Sequence, residues 1–145
     1  MSVFPAVSPF LSWFQTPEAG RRAEAAGALA LAYLYGDMND AELKGVEIAM
    51  TAALDDPSPM VRRALAEALA SAEQAPRHIV VALANDQPEV AALVLSRSPA
   101  LRDADLVDCV AVADPYAQAA AAIRPTLSEP VCDALAAVGG REACV

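Results

Sequence analysis

Three stretches of the chain begin in the same way, and their spacing restricts the fold more than any other feature. Each opens on an aspartate that is followed within two residues by a proline. The three starts are Asp56-Pro57, Asp86-Gln87-Pro88 and Asp114-Pro115, at spacings of 30 and 28 residues. A second start inside each unit is marked by Pro76, Pro99 and Pro125. A period near 30 with two helix starts per unit is typical of helical repeat arrays.

Inside the units, the apolar residues follow a helical period. Val61, Leu65 and Leu69 recur every four residues. Arg63 and Glu67 lie i,i+4 on the opposite side, as expected for a solvated face. The apolar run at residues 79–81 is predicted to be helical from its context. The sequence therefore predicts an all-α fold, an α-solenoid (HEAT/armadillo-like superhelix) of about four helix pairs.

Capping residues predict where single helices begin and end. Thr16, followed by a proline, predicts a helix that runs to about Tyr35 and stops at Gly36. Asn39 or Asp40 is expected to cap the next helix. Two further candidate N-caps are Asp103 and Ser128.

The charge balance narrows the class of partner. The net charge is −9, and the ten basic residues are scattered along the chain. A nucleic-acid binder gathers its cations on one face, and an anionic membrane repels an acidic protein, so neither partner is expected. A basic protein or peptide is compatible with this charge.

The number and spacing of the cysteines indicate the redox conditions of the cellular compartment. There are three of them, Cys109, Cys132 and Cys144, and none has CxxC spacing. An odd count argues against a disulfide framework, and we expect a reducing cytoplasm. No basic segment precedes an apolar run, so no secretory signal is predicted.

The first 16 residues differ from the rest of the chain. Four of the seven aromatic residues lie here: Phe4, Phe10, Trp13 and Phe14. We expect this segment (1–16) to pack as a lid on the first repeat of a helical domain spanning 17–145. The alternatives are a docking element for a partner or a second copy, and a membrane contact without basic flanks.

The unit that begins at Asp56 resembles the HEAT repeat, which pairs an aspartate with an arginine six residues later. Arg62 stands at that distance. The resemblance implies that this pair ties neighbouring units together at the turn between repeats. Asp86 and Asp114 match the aspartate. The positions near the arginine in those two units hold Ala91 and Gln118.

A longer stretch, roughly 29–139, is similar to an uncharacterised family of bacterial proteins with HEAT-like repeats. The residues that carry the similarity include Leu54-Asp55-Asp56, Val61-Arg62-Arg63-Ala64-Leu65-Ala66, Leu83-Ala84-Asn85-Asp86 and Ser98-Pro99-Ala100-Leu101. The resemblance implies no assigned activity. Because such proteins tend to be longer, residues 17–145 are expected to be the N-terminal part of a longer array.

No set of residues predicts catalysis, a metal site or a cofactor. His78 is the only histidine, and the Asp55-Asp56 pair and the Asp103/Asp105 pair lie where aspartates cap helices. We therefore expect that the protein is not an enzyme and binds no cofactor.

The predicted function is that of a non-enzymatic protein–protein interaction scaffold or regulatory adaptor. The candidate partner-binding residues are Phe10, Trp13, Phe14, Arg62 and Arg63. A second copy is a further candidate partner, through an uncapped end near Val145. The alternatives are a nucleic-acid-binding HEAT-like protein and a lyase-type enzyme on the same scaffold.

Overall fold

The computed structural model of the protein describes residues 15–139. This part of the chain forms eight α-helices and no strand, which confirms the all-α prediction. The helices are α1 (Ala19–Tyr35), α2 (Asp40–Ala53), α3 (Pro59–Leu69), α4 (Arg77–Ala84), α5 (Pro88–Arg97), α6 (Asp103–Val112), α7 (Pro115–Ala122) and α8 (Glu129–Gly139). The predicted aromatic lid with Phe10, Trp13 and Phe14, and the chain end near Val145, lie outside the described residues.

The three aspartate–proline starts lead into α3, α5 and α7. Pro59, Pro88 and Pro115 are each the first residue of their helix, where the missing N–H would have had no partner within the helix. Ser58 and Asp114 cap α3 and α7 by accepting hydrogen bonds from backbone N–H groups of the first turn. The repeated proline therefore fixes the first residue of every second helix from α3 onward.

The ends of α1 and α2 follow the sequence prediction. α1 stops at Tyr35, before Gly36, where a Cβ atom would overlap the carbonyl oxygen of Ala32. Asn39 caps α2 in a capping box: its side chain accepts from the N–H of Glu42 at 2.8 Å, and its own N–H donates to the Glu42 carboxylate at 3.1 Å.

α1 begins later than the sequence predicts. Thr16 was the expected N-cap, but the helix starts at Ala19. Nη1 of Arg22 donates hydrogen bonds to the carbonyl oxygens of Thr16 and Pro17, both at 2.9 Å. These bonds hold the turn at 16–18 outside the helix.

Two further capping predictions are wrong. Asp103 is the first residue of α6, and Arg102 takes the N-cap position. The N–H of Arg102 donates to the carboxylate of Asp105 at 2.9 Å. Asp105, the third residue of α6, therefore satisfies a backbone N–H at the helix N-terminus. Ser128 directly precedes α8, but its buried Oγ has no hydrogen-bond partner among residues 15–139 and does not cap the helix.

The helices pack in two rows. In the first row, α1, α3, α5 and α7 each pack against the next member. In the second row, α6 packs against α8, while polar side chains link α2 to α4 and α4 to α6. Most consecutive helices also contact each other across the rows, so each helix pair lies beside the next pair.

One continuous apolar core runs between the rows. Its largest fully buried side chains include Leu29, Met50, Leu65, Leu69, Ile79, Leu83, Leu95 and Leu135. Small residues are buried on both α1 and α3, which pack together: Ala26 and Ala30 on α1, Ala66 on α3 and Ala70 directly after α3 are all fully buried. Because the distance between packed helices depends on the side chains at the contact, these alanines allow a close approach.

Candidate interaction surface

Two arginines at the same helical position link consecutive units. Arg22 is the fourth residue of α1, and Arg62 is the fourth residue of α3. Nε of Arg22 donates to Oδ2 of Asp56 at 2.9 Å, and Nε of Arg62 donates to Oδ2 of Asp86 at 2.6 Å. The four side chains are only 10–13% exposed. Each pair therefore joins the start of one unit to the start of the next, largely away from water.

Each of these arginines also binds a carbonyl oxygen six residues earlier. Arg22 donates to Thr16, and Arg62 donates to Asp56. The Asp56 carboxylate is taken by Arg22 and by the N–H of Ser58. Arg62 thus meets Asp56 through the main chain, and its ion pair is made with the aspartate of the following unit. We refer to the two ion pairs, Arg22–Asp56 and Arg62–Asp86, as the ladder.

The ladder does not continue into the later units. The fourth residue of α5 is Ala91, and the fourth residue of α7 is Gln118. The carboxylate of Asp114 caps its own helix. The buried Gln118 amide donates to the carbonyl oxygens of Val110 at 3.1 Å and Ala113 at 3.0 Å. The predicted inter-repeat residue Asp114 therefore has no arginine partner among the described residues.

A third ion pair, which the sequence did not reveal, joins α4 to α6. Arg77 donates from Nε to Oδ2 of Asp105 at 2.9 Å and from Nη2 to Oδ1, a bidentate pair. The Asp105 side chain is 8% exposed. The hydrogen bonds from Arg77 hold the pKa of Asp105 below its usual value, although burial acts in the opposite direction. The carboxylate is therefore ionised at neutral pH.

Arg124 links α7 to the end of α5. It follows α7, and its Nη1 and Nη2 donate to the carbonyl oxygens of Leu95 at 2.7 Å and Ser98 at 2.6 Å. Burial lowers the pKa of Arg124, and the charge of Asp103 opposes that shift. The guanidinium thus satisfies carbonyl groups at a helix C-terminus, where positive charge is favoured.

Arg63 has an environment unlike that of its neighbour Arg62. It is more than half exposed, and its Nε lies 3.4 Å from a carboxylate oxygen of Glu67, which is equally exposed. Arg63 and Glu89 line two adjoining depressions of about 410 and 440 Å³. We call this surface the α3–α5–α7 groove. Its other lining residues include Met60, Leu93, Arg97, Tyr116 and Ile123.

Large apolar side chains line the groove while remaining in contact with solvent. Met60 is 54% exposed, Tyr116 62% and Ile123 75%. Met60 and Tyr116 occupy the same position, directly after the first proline of α3 and α7. Exposed apolar and aromatic groups beside Arg63 and Arg97 have the composition of a protein interface.

The structure separates the predicted partner-binding residues. Arg63 lies in the groove, whereas Arg62 is held in the ladder and is unavailable to a partner. Phe10, Trp13 and Phe14 lie outside the described residues. Met60, Tyr116 and Ile123 were not among the residues predicted from the sequence. For the first two, the recurring position after a proline is the signal that could have found them.

His78, the second residue of α4, connects this helix to α2. Its Nε2 lies 3.6 Å from a carboxylate oxygen of Glu47 and 3.5 Å from Oγ1 of Thr51, both on α2. The same glutamate acts on Tyr33: burial, aided by the charge of Glu47, raises the pKa of the Tyr33 hydroxyl. Between residues 15 and 139, no group of three or more histidine, cysteine or acidic side chains is placed to hold a metal ion.

Cys109 is buried on α6. Burial raises the pKa of its thiol, and a hydrogen bond from Nδ2 of Asn85 to Sγ at 3.6 Å partly offsets this effect. The charges of Asp105 and Asp108 raise the pKa further. Since the thiolate is the reactive form, Cys109 is a weak nucleophile at neutral pH.

Within the described chain, no helix combines the length and the apolar character that a membrane crossing requires.

These features define an all-α protein of paired helices with polar links between units. Residues 90–145 match the model of a family described as an uncharacterised protein conserved in bacteria (DUF2336). The matched part begins in α5 and includes all of α6, α7 and α8. No curated protein and no solved structure matched the chain.

Proposed function

We propose that this protein is a non-enzymatic scaffold or adaptor that binds another protein along the α3–α5–α7 groove. The observation that carries the proposal is the exposure of Met60, Tyr116 and Ile123 beside Arg63 and Arg97. Apolar groups of this size gain free energy when a partner covers them, and arginine is enriched at such contacts.

We also propose that the helix pairs form an α-solenoid of the HEAT-like kind. Three features support this reading: the period near 30 residues, the row in which α1, α3, α5 and α7 each contact the next, and the ladder between unit starts. Solenoids bind partners along extended surfaces made by successive repeats. The groove, which crosses three units, is a surface of that kind.

The charges favour a protein partner over a nucleic acid. Arg22, Arg62 and Arg77 are each paired with an aspartate, so these cations are already compensated. With a net charge of −9, the chain would repel a phosphate backbone. One candidate for the bound protein is a second copy of the chain. We propose that the binding takes place in the cytoplasm.

The test is recovery of a partner from an extract of the source cells on the immobilised full chain. Two matched variants separate the groove from the remaining surface: Ile123→Ser on the groove side and Ile48→Ser on α2, where Ile48 is 58% exposed. We expect Ile123→Ser to reduce recovery at least about tenfold, as the loss of one well-buried anchor would. We expect Ile48→Ser to retain recovery.

Two results would contradict the proposal. One is that the wild-type chain recovers no protein beyond those held by an unrelated acidic helical protein. The other is that Ile123→Ser and Ile48→Ser reduce recovery equally, which would place the contact elsewhere.

A further inference from the structure

A cavity with both polar and apolar walls lies at the junction where the ladder stops. It has a volume of about 180 Å³ and lies between the α4–α5 turn and the start of α7. Its walls include Asn85, Asp86, Ala91, Cys109 and Asp114. We call it the junction cavity.

The first two junctions of the chain show what this position accommodates. At each of them, the fourth residue of the helix is an arginine that binds a carbonyl oxygen six residues earlier and the aspartate that begins the next unit. At the third junction, the same relationships lead from Ala91 to the carbonyl of Asn85 and to the carboxylate of Asp114. Asn85, Ala91 and Asp114 all line the junction cavity, and the short side chain of Ala91 leaves the space unfilled by the chain itself.

Of the two aspartates that line the junction cavity, Asp86 is paired with an arginine and Asp114 is not paired with a cation of the described residues. Asp86 is already paired with Arg62 and also accepts from the N–H of Gln87. Asp114 uses one carboxylate oxygen to cap α7, and no lysine or arginine of the described residues pairs with it. Asp114 is exposed, so a ligand can reach it from solvent.

We propose that the junction cavity binds a guanidinium group supplied by another molecule, which takes the place that Arg22 and Arg62 occupy at the first two junctions. The expected partners of this group are the Asp114 carboxylate and the Asn85 carbonyl oxygen. A planar guanidinium fits a carboxylate with two parallel hydrogen bonds, whereas an ammonium acts as a point charge. The site is separate from the α3–α5–α7 groove and does not depend on the proposed partner there.

The test is a titration of the ¹⁵N-labelled full chain with ethylguanidinium chloride, followed by amide chemical shifts. We expect saturable shifts at Asn85, Asp114 and Ala117, with a Kd on the order of 1–10 mM for so small a ligand. Ethylammonium chloride at equal concentration controls for charge and salt, and it should bind at least about fivefold more weakly because it lacks the planar fork. Equal shifts with both salts would overturn the proposal.

Three variants locate the site. Asp114→Asn keeps an N-cap acceptor for α7 and removes only the charge, so it should fold normally and weaken binding about tenfold. Asp108→Asn removes an exposed carboxylate of the neighbouring helix α6 that does not line the junction cavity, and it should leave the Kd unchanged. Ala91→Arg should fill the cavity from within and abolish the shifts at Asp114. Unaltered binding in Asp114→Asn would refute the assignment even if Ala91→Arg fails to fold.

The source of the guanidinium is decided by a second ligand. An end-blocked Gly-Arg-Gly peptide that shifts the same amides at equal or lower concentration supports an arginine on a partner protein. A peptide that does not bind, while ethylguanidinium does, supports a small guanidinium compound. If neither ligand binds, or if phosphate shifts these amides instead, the proposal is wrong.

Discussion

Nε of Arg62 and Oδ2 of Asp86 meet at 2.6 Å although 24 residues separate them, and this contact joins the start of α3 to the start of α5. Both side chains are largely buried, with 12–13% of their surface exposed. Removing one partner of a buried pair leaves an uncompensated charge, which destabilises a protein far more than the loss of a surface pair does. Arg62 and its neighbour Arg63 therefore offer a direct comparison of the two kinds of ion pair.

Arg62→Met should lower the free energy of unfolding by about 2–4 kcal/mol, because the Asp86 carboxylate loses its cation and the Asp56 carbonyl oxygen loses its donor. Urea denaturation monitored by circular dichroism measures the effect. The same change at Arg63, whose pair with Glu67 is exposed, should alter stability by less than about 0.5 kcal/mol. If the two variants lose similar amounts of unfolding free energy, the buried pair of the ladder stabilises the fold no more than the exposed pair does.

The Arg77–Asp105 pair should make stability depend on pH in a defined window. The folded-state pKa of Asp105 is lowered, chiefly by the hydrogen bonds from Arg77. The pair therefore contributes fully above the unfolded-state pKa, near 3.9, and its contribution is lost as the pH falls through the lower folded-state value. Asp105→Asn should cost about 1–3 kcal/mol at pH 7.

The measurement is the difference in unfolding free energy between wild type and Asp105→Asn from pH 7 to pH 3. We expect a constant difference down to about pH 5 and a decline below about pH 4. Asp108→Asn, on the exposed side of α6, is the control and should change stability little. A difference that grows on acidification has the wrong sign for this pair.

Arg124 should depend on its shape as well as its charge. Its two Nη atoms bind two different carbonyl oxygens at the end of α5. Arg124→Met should lower the thermal midpoint through the loss of about 1–3 kcal/mol, and Arg124→Lys should restore only part of it, because an ammonium cannot reproduce the fork. Full recovery in the lysine variant would mean that charge alone matters.

Cys109 should be protected from thiol reagents in the folded protein. In a chain with Cys132→Ser and Cys144→Ser, Ellman's reagent at pH 8 reports this thiol alone. Burial and the raised pKa should slow the reaction by about 100-fold or more relative to the urea-unfolded chain. Reaction at the unfolded rate would indicate that α6 opens readily.

Local signals predicted the helices well. The prolines at 59, 88 and 115 mark the first residue of their helices, because a missing N–H is tolerated in the first turn and the fixed φ of proline suits a helix start. Gly36 and Asn39 act through atoms within a few residues, so their roles were also visible. Thr16 is not the cap of α1, and Arg22 donates to its carbonyl oxygen and to that of Pro17, contacts that capping preferences do not contain.

The links between units were not predictable in the same way. Arg77 and Asp105 are 28 residues apart, and their contact depends on how α4 and α6 align once the core has packed. For the groove residue Arg63, the i,i+4 relation to Glu67 correctly predicted an ion pair on a solvated face. Met60 and Ile123 were not predicted, because an apolar residue on a helix is ordinarily assigned to the core.

The pairwise packing of neighbouring units has a kinetic consequence. In the described chain, the helices with substantial contact are first or second neighbours, and the ion pairs between units span only 24–34 residues. When each unit contacts only its neighbours, folding can start in one unit and propagate to the next. Once α1 and α3 have met, each later helix needs only its immediate predecessors, so the polypeptide can acquire its structure progressively from one end.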